Sequence, residues 1–423
     1  MRVLSAVLVM AALVCATGCA TRTSGGPASV RAERAPIAWP QREQRDVVLE
    51  VKSATPGVAL VEQCKNEHGA LMELITPDDS AWSATIEMPS LGVRFKQSYN
   101  PTGLKRAGRW LLFTSAASLS VPATLEFAAG PDGPARSEPS EFALNADHLR
   151  PILIVECRGR PPVGTCVLLP SLVGPRDVEA TLFSLSDRGW RVVSFQLADF
   201  LRPLRVLQRS TFGTGETSAD LGAMLADELA DSGYATQMVL ELLVANEPAL
   251  AEKPLVMVGS SLRALELPAC AALVSQSSGV PTLSAAVLIG GGAGVDDIML
   301  RGGLGRAWLR EVGAKLPNDE DTAAWAKSFR EACSLAPERA LWSLDNIPVL
   351  LVDARFDAIV PRSTADRLWR ELGEPERWTD PVGHIGLFWV LGTTPWNEVA
   401  AWIDRTTNTP PAIADANAAG NAP

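Results

Sequence analysis

Residues 254–269 read PLVMVGSSLRALELPA. Four apolar residues, Leu255 to Val258, run into Gly259, Ser260 and Ser261, and a helix-compatible stretch begins at once. A chain that passes from buried strand to helix through so few residues bends sharply there, and small residues are what such a bend needs. Comparable apolar runs recur: TCVLLP (165–170), WRVVSF (190–195), AAVLIGG (285–291) and VLLVD (349–353). Between them lie helical stretches, among them Ala219 to Ala245 and Ala264 to Gln276. Uninterrupted apolar runs are strands buried on both faces, which means a mostly parallel sheet covered by helices. In such a sheet ligands sit at the carboxyl ends of the strands. A serine on the bend there stands beside a helix N-terminus that favours negative charge, and acts as a nucleophile if a base is near.

The totals exclude several classes. The chain has 423 residues, 47% hydrophobic and 20% charged, which is long enough for two domains. A net charge of −10 argues against a nucleic-acid binder, which shows a basic face. GGGAG (290–294) follows a strand but lacks both G-x-G-x-x-G and a following Lys-Ser/Thr, so no nucleotide and no other cofactor is expected. No metal is expected either, because the chain has three histidines and no carboxylate cluster at ligand spacing. Among the seven cysteines no CxxC occurs. Cys157 and Cys166 flank a turn-like RGRPPVGT, and either a disulfide or two reduced, buried thiols fits them.

The amino-terminal residues stand apart. Arg2 precedes a 14-residue apolar run, Val3 to Ala16, too short to span a bilayer comfortably and suited to an export signal. The run ends in ATGC (16–19), small residues before a cysteine, which resembles the lipobox of bacterial lipoproteins. That resemblance implies that residues 1–19 are a signal whose Cys19 carries the lipid, palmitate included, with the outer membrane favoured because Ala20, not Asp, follows. Residues 20–45, rich in Gly, Pro, Ala and Arg, read as a flexible tether. Residues 46–147 hold short alternating segments such as GALMELIT and GRWLLFTSA separated by turn residues, and read as a small β-sandwich-like domain. The α/β region spans 151–406, with 295–346 as a helical cap insertion carrying Trp308, Trp325 and Trp342, and 407–423 as a disordered tail.

Gly259-Ser260-Ser261-Leu262-Arg263 resembles the nucleophile elbow G-x-S-x-G of the α/β-hydrolase superfamily, with Arg263 where the last glycine falls. The superfamily orders its catalytic residues Ser, acid, His. After the strand PVLLVD comes ARFDAIVP (354–361), similar to its acid loop, with Asp357 in the matching place. DPVGHIGLFW then brings His384 after a glycine. His68 and His148 lie in or beside the β region, so His384 alone stands deep in the α/β half. The resemblance implies an α/β-hydrolase fold, a Ser261–Asp357–His384 triad, and an oxyanion hole from the N–H of Leu262 and of Leu172 in the loop after TCVLLP. It implies acyl transfer from a small-molecule carboxylic ester to water, or from a thioester or peptide in a related enzyme.

Alternatives stand beside each residue. Ser260 is a rival nucleophile, and Ser261 also reads as an ordinary helix N-cap. Asp296 and Asp297, after AAVLIGGG, are rival acids. Arg263 is expected to escape the crowded elbow by pointing outward, with Ala264 taking the close contact. Together with LPSLVGPRD (169–177), which stands where many members of the superfamily carry His-Gly, it favours a second reading, a non-catalytic hydrolase-like lipoprotein that binds an envelope ligand.

Overall fold

The computed structural model describes residues 21–23, 37, 39–40, 50–52, 59–75, 82–88, 93–99, 106–115, 120–129, 140–145, 149–157, 161–170, 181, 184–195, 218–303, 305–306, 319–391 and 395–407. The first strands are β1 (Thr21–Thr23), β2 (Glu50–Lys52), β3 (Ala59–Asn66), β4 (Gly69–Ile75), β5 (Trp82–Met88) and β6 (Val93–Tyr99). There follow β7 (Arg106–Ser115), β8 (Ser120–Ala129), β9 (Ser140–Asn145) and β10 (Leu149–Cys157). The apolar runs then form β11 (Thr165–Leu169), β12 (Arg191–Phe195), β13 (Leu255–Ser260), β14 (Leu283–Ile289) and β15 (Val349–Ala354), and the mostly polar ERWTD forms β16 (Glu376–Asp380). The helices are α1 (Ser218–Asn246), α2 (Leu262–Gln276), α3 (Val295–Arg301), α4 (Asp319–Ala332), α5 (Pro337–Ala340), α6 (Arg362–Glu371), α7 (His384–Leu391) and α8 (Pro395–Thr406).

Eleven strands make one sheet in the order β1-β16-β15-β14-β13-β11-β12-β10-β7-β4-β3. From β12 to β16 every neighbouring pair is parallel, as the apolar runs predict. All six residues of β13 and of β15 are buried. Alternate residues feed two cores. Leu255 and Met257 join the core with α1, α2, α4 and α6, while Val256 and Val258 join the one with α7 and α8. Each such aliphatic side chain contributes about 1.5–3 kcal/mol by leaving water. In the second core the tryptophans act as packing: Trp396 and Trp402 of α8 lie against the sheet, and Trp190 Nε1 donates to Asp404 Oδ1 at 3.0 Å.

β12 lies on one side of β11 and β13 to β16 on the other. Strand order thus reverses at β11 and β13, and it is at the carboxyl ends of strands at such a point that open α/β sheets bind ligands.

Several expectations change. The boundary between 147 and 151 is not a break in the sheet, because β10 pairs with β7 along nine residues and β7 with β4. Leu71, Leu111 and Phe113 lie in the same core as α1 and α2. Among the described residues, β2-β9-β8-β5-β6 form a separate, wholly antiparallel sheet. The described residues of the expected tether are held in place: β1 adds to the edge of β16, and Ile37 and Trp39 pack on the first core. Cys166 is buried and free, so it forms no disulfide with Cys157; an interior strand position leaves its thiol in an apolar, close-packed setting. Cys19, Leu172, His148, Trp308 and residues 408–423 lie outside the described residues. No helix among the described residues is long and apolar enough to cross a membrane.

Candidate active site

Gly259 permits the bend. A Cβ there would stand 2.8 Å from the Arg263 carbonyl oxygen and 2.9 Å from Ala264 Cα, closer than any side chain tolerates. The close contact expected of Ala264 is therefore present. The bend itself falls on Ser261, with φ 58° and ψ −127°, a conformation L-residues rarely adopt and that costs about 1–3 kcal/mol. Its N–H donates to Ile289 O at 2.7 Å, which fixes the strained peptide to β14.

Ser261 holds the N-cap position of α2 but makes no side-chain cap hydrogen bond. Its hydroxyl instead meets His384 Nε2 at 2.7 Å. The opposite ring nitrogen, Nδ1, lies 2.6 Å from Asp357 Oδ2. A carboxylate accepts, so Nδ1 carries the proton and Nε2 is left to accept from Ser261. The other Asp357 oxygen, Oδ1, accepts from the N–H groups of Ile359 and Val360, both at 2.8 Å. The carboxylate is thus held on both oxygens, and all three side chains are buried.

Two backbone links bring acid and base together. Arg355 N–H donates to Asp380 O at 2.7 Å and Phe356 N–H to Val382 O at 3.0 Å, so the loop after β15 runs alongside the loop after β16. His384 then opens α7, its ring edge-on to Phe388. Gly290 follows β14 with φ 62°, and a Cβ there would stand 3.1 Å from His384 Cε1. The glycine-rich loop therefore seats the imidazole. Its chemical signal in the sequence was too general to assign that task.

The rivals are placed elsewhere. Ser260 ends β13 and the imidazole bonds its neighbour. Asp296 is buried against Arg330 of α4, and Asp297 faces Arg301 at 3.4 Å. Arg263 does not point outward: it is 3% exposed. Its Nη1 lies 2.6 Å from Glu266 Oε2 and 3.2 Å from Ser232 Oγ on α1, and Ser232 Oγ donates to the same carboxylate oxygen at 2.7 Å. A buried, hydrogen-bonded pair is how a guanidinium fits a place where a glycine was expected. Glu266 was visible at the i+3 spacing, but Ser232, 31 residues upstream in the chain, was not.

Leu262 opens α2 directly after Ser261, so its N–H lies at the bend, where an oxyanion donor is needed. No group of three or more His, Cys, Asp or Glu able to hold a metal occurs among the described residues. Chemically, the arrangement can deprotonate a buried hydroxyl and stabilise the resulting imidazolium.

No protein family and no curated protein matches the chain. Solved structures similar to it include a cold-adapted esterase from an Arctic intertidal metagenomic library, at 13% identity and a TM-score of 0.41, covering 74% of this chain and 98% of that one. Acetyl xylan esterase 1 from Thermoanaerobacterium sp. JW/SL YS485 matches at 12% identity and a TM-score of 0.42, covering 72% and 87%. The Pyrococcus furiosus esterase Pf2001 matches at 16% and 0.39, covering 61% and 88%. Likeness at this distance carries no functional weight, and the chemistry rests on the three side chains.

Proposed function

We propose that the chain is a serine hydrolase of α/β-hydrolase type that cleaves carboxylic esters through an acyl-Ser261 intermediate. The observation that carries this reading is the chain of two short hydrogen bonds from a strained Ser261 through His384 to Asp357.

His384 Nε2 takes the hydroxyl proton as Ser261 Oγ attacks the ester carbonyl. Asp357 holds the imidazole in the tautomer that can accept it and stabilises the imidazolium. The oxyanion is assigned to the N–H of Leu262 and, in the same scheme, of Leu172; each such donor is typically worth about 100- to 1,000-fold in rate. His384 returns the proton to the leaving alcohol. Water then attacks the acyl-serine with His384 again as base, releasing the acid and restoring Ser261. The burial of Arg263 with Glu266 supports catalysis over the binding-protein reading, because the arginine neither blocks the bend nor crowds the serine. We assign residues 1–19 as an export signal ending in lipid-bearing Cys19, so that the enzyme sits in the cell envelope, with the outer membrane favoured.

A fluorophosphonate probe tests the assignment. Labelling is expected in the native chain and in Ser260→Ala, and is lost in Ser261→Ala. Asp357→Asn lowers ester turnover on the order of 10,000-fold, because the imidazole loses its tautomer. A folded chain that neither labels nor turns over esters, thioesters or peptides is instead a binding protein.

A further inference from the structure

The register of β1 decides where the chain's amino end emerges. Thr21 pairs with Thr379, Arg22 with Trp378 and Thr23 with Arg377, antiparallel. β16 runs toward His384, so Thr21 lies at the carboxyl edge of the sheet, the edge at which Ser261, Asp357 and His384 meet. The segment is held by side chains as well: the Arg22 guanidinium lies 4.6 Å over the Trp378 ring and pairs with Glu398. Cys19 precedes Thr21 by two residues, no more than about 7 Å of chain.

Phe356 is the second observation. It is 58% exposed, more than Val61 at 43%, the other large apolar side chain exposed among the described residues. It immediately precedes Asp357, and its bond to Val382 places it on the same edge of the sheet. Beside it Arg355 is exposed, with its guanidinium 5.8 Å from the ring. An outward aromatic with a neighbouring cation suits the headgroup level of a bilayer.

We infer that the carboxyl edge of the sheet lies against the membrane and that the substrate is an acyl ester of a bilayer lipid. This rests on the serine-hydrolase reading and on the lipid at Cys19. An anchor so near the edge confines the catalytic centre to the bilayer surface, which raises the effective concentration of lipid esters there and leaves that of soluble ones unchanged. In the reaction the bond from Ser261 Oγ to the acyl carbon forms as the lipid's ester C–O bond breaks. The leaving alcohol takes its proton from His384, and water then releases the free fatty acid.

The test uses the full chain with its leader, exported and checked for lipid on Cys19 by mass spectrometry. It is reconstituted in vesicles of phosphatidylethanolamine and phosphatidylglycerol. A Gly/Ser spacer of about twenty residues inserted between Ala20 and Thr21 relaxes the confinement. Hydrolysis of vesicle phospholipid is expected to fall about tenfold or more, while turnover of a short-chain soluble ester is unchanged. Phe356→Trp is expected to add fluorescence that brominated lipids quench beyond the level of the native chain. A chain without lipid on Cys19 overturns the inference. So does an unaltered vesicle rate with the spacer and no added quenching, which leaves the edge to a soluble substrate or a protein partner. Soluble-ester turnover retained in those cases spares the hydrolase reading; its absence from every form sinks that reading, while quenching still reports the membrane contact.

Discussion

Arg263 is where residue-level reasoning met its sharpest conflict. A long cation stands in a bend that favours small residues, and the crowding there suggests that it points outward. It turns inward because Glu266, one turn along α2, and Ser232 on α1 supply acceptors in the same buried place. Removing one member leaves the other charge buried and unpaired. Arg263→Ala is therefore expected to cost about 3–5 kcal/mol in denaturant unfolding, whereas Arg263→Met with Glu266→Leu stays near the native value. If the single and double variants unfold alike, the pair is not what matters there. Ser261 posed the milder conflict, because a helix-capping serine and a nucleophile have the same local signature. Its hydrogen bond to His384, 123 residues away, separates them.

At the scale of elements, the bends and loops matter more than the strands. The apolar runs announced β11 to β15, since an uninterrupted run of buried residues has few other solutions. The loops that follow them carry the chemistry, and their relative placement depends on sheet order. Gly290 shows this. Its left-handed backbone and its approach to His384 arise only because β14 lies between β13 and β15. Gly290→Ala is expected to displace the imidazole by several tenths of an ångström and lower kcat by about 10- to 100-fold with KM little changed, and to cost about 1 kcal/mol or more because alanine is strained at that left-handed backbone. Near-native kcat in that variant shows that the loop does not position the ring. β1 was hidden from sequence reading for a different reason. Three polar residues have no pattern of their own and become a strand only because the edge of β16 is open to them.

The whole molecule is organised around a sheet that runs through the expected domain boundary. β10 is paired on one side by β12 and on the other by β7, and Phe113 and Leu111 fill the core that α1 covers. A chain beginning at residue 146 is therefore expected to expose the edge of β10 and a core lacking those side chains. It should show no cooperative thermal transition, and a sharp transition like that of the full chain contradicts this. Charge burial sets a pH dependence on the same scale. Burial pushes Asp353 up to about 6, against the lowering pull of Arg377 beside it. Its proton is thus bound more tightly in the folded than in the unfolded chain. The stability this contributes is full below about pH 4 and is lost as pH rises through about 6. Unfolding midpoints measured across that window should fall with rising pH in the native chain and flatten in Asp353→Asn. The parallel strands and the bend at Ser261 could be read along the chain, because apolar runs and glycine or serine turns are local patterns; the Ser–Asp–His order came from the resemblance to the α/β-hydrolase superfamily. The tertiary structure alone decided that β3, β4 and β7 extend the main sheet, that Arg263 is buried, and that the amino-terminal segment reaches the edge where the triad meets. Each depends on which distant backbone offers a free edge or a buried acceptor, and no local pattern encodes that.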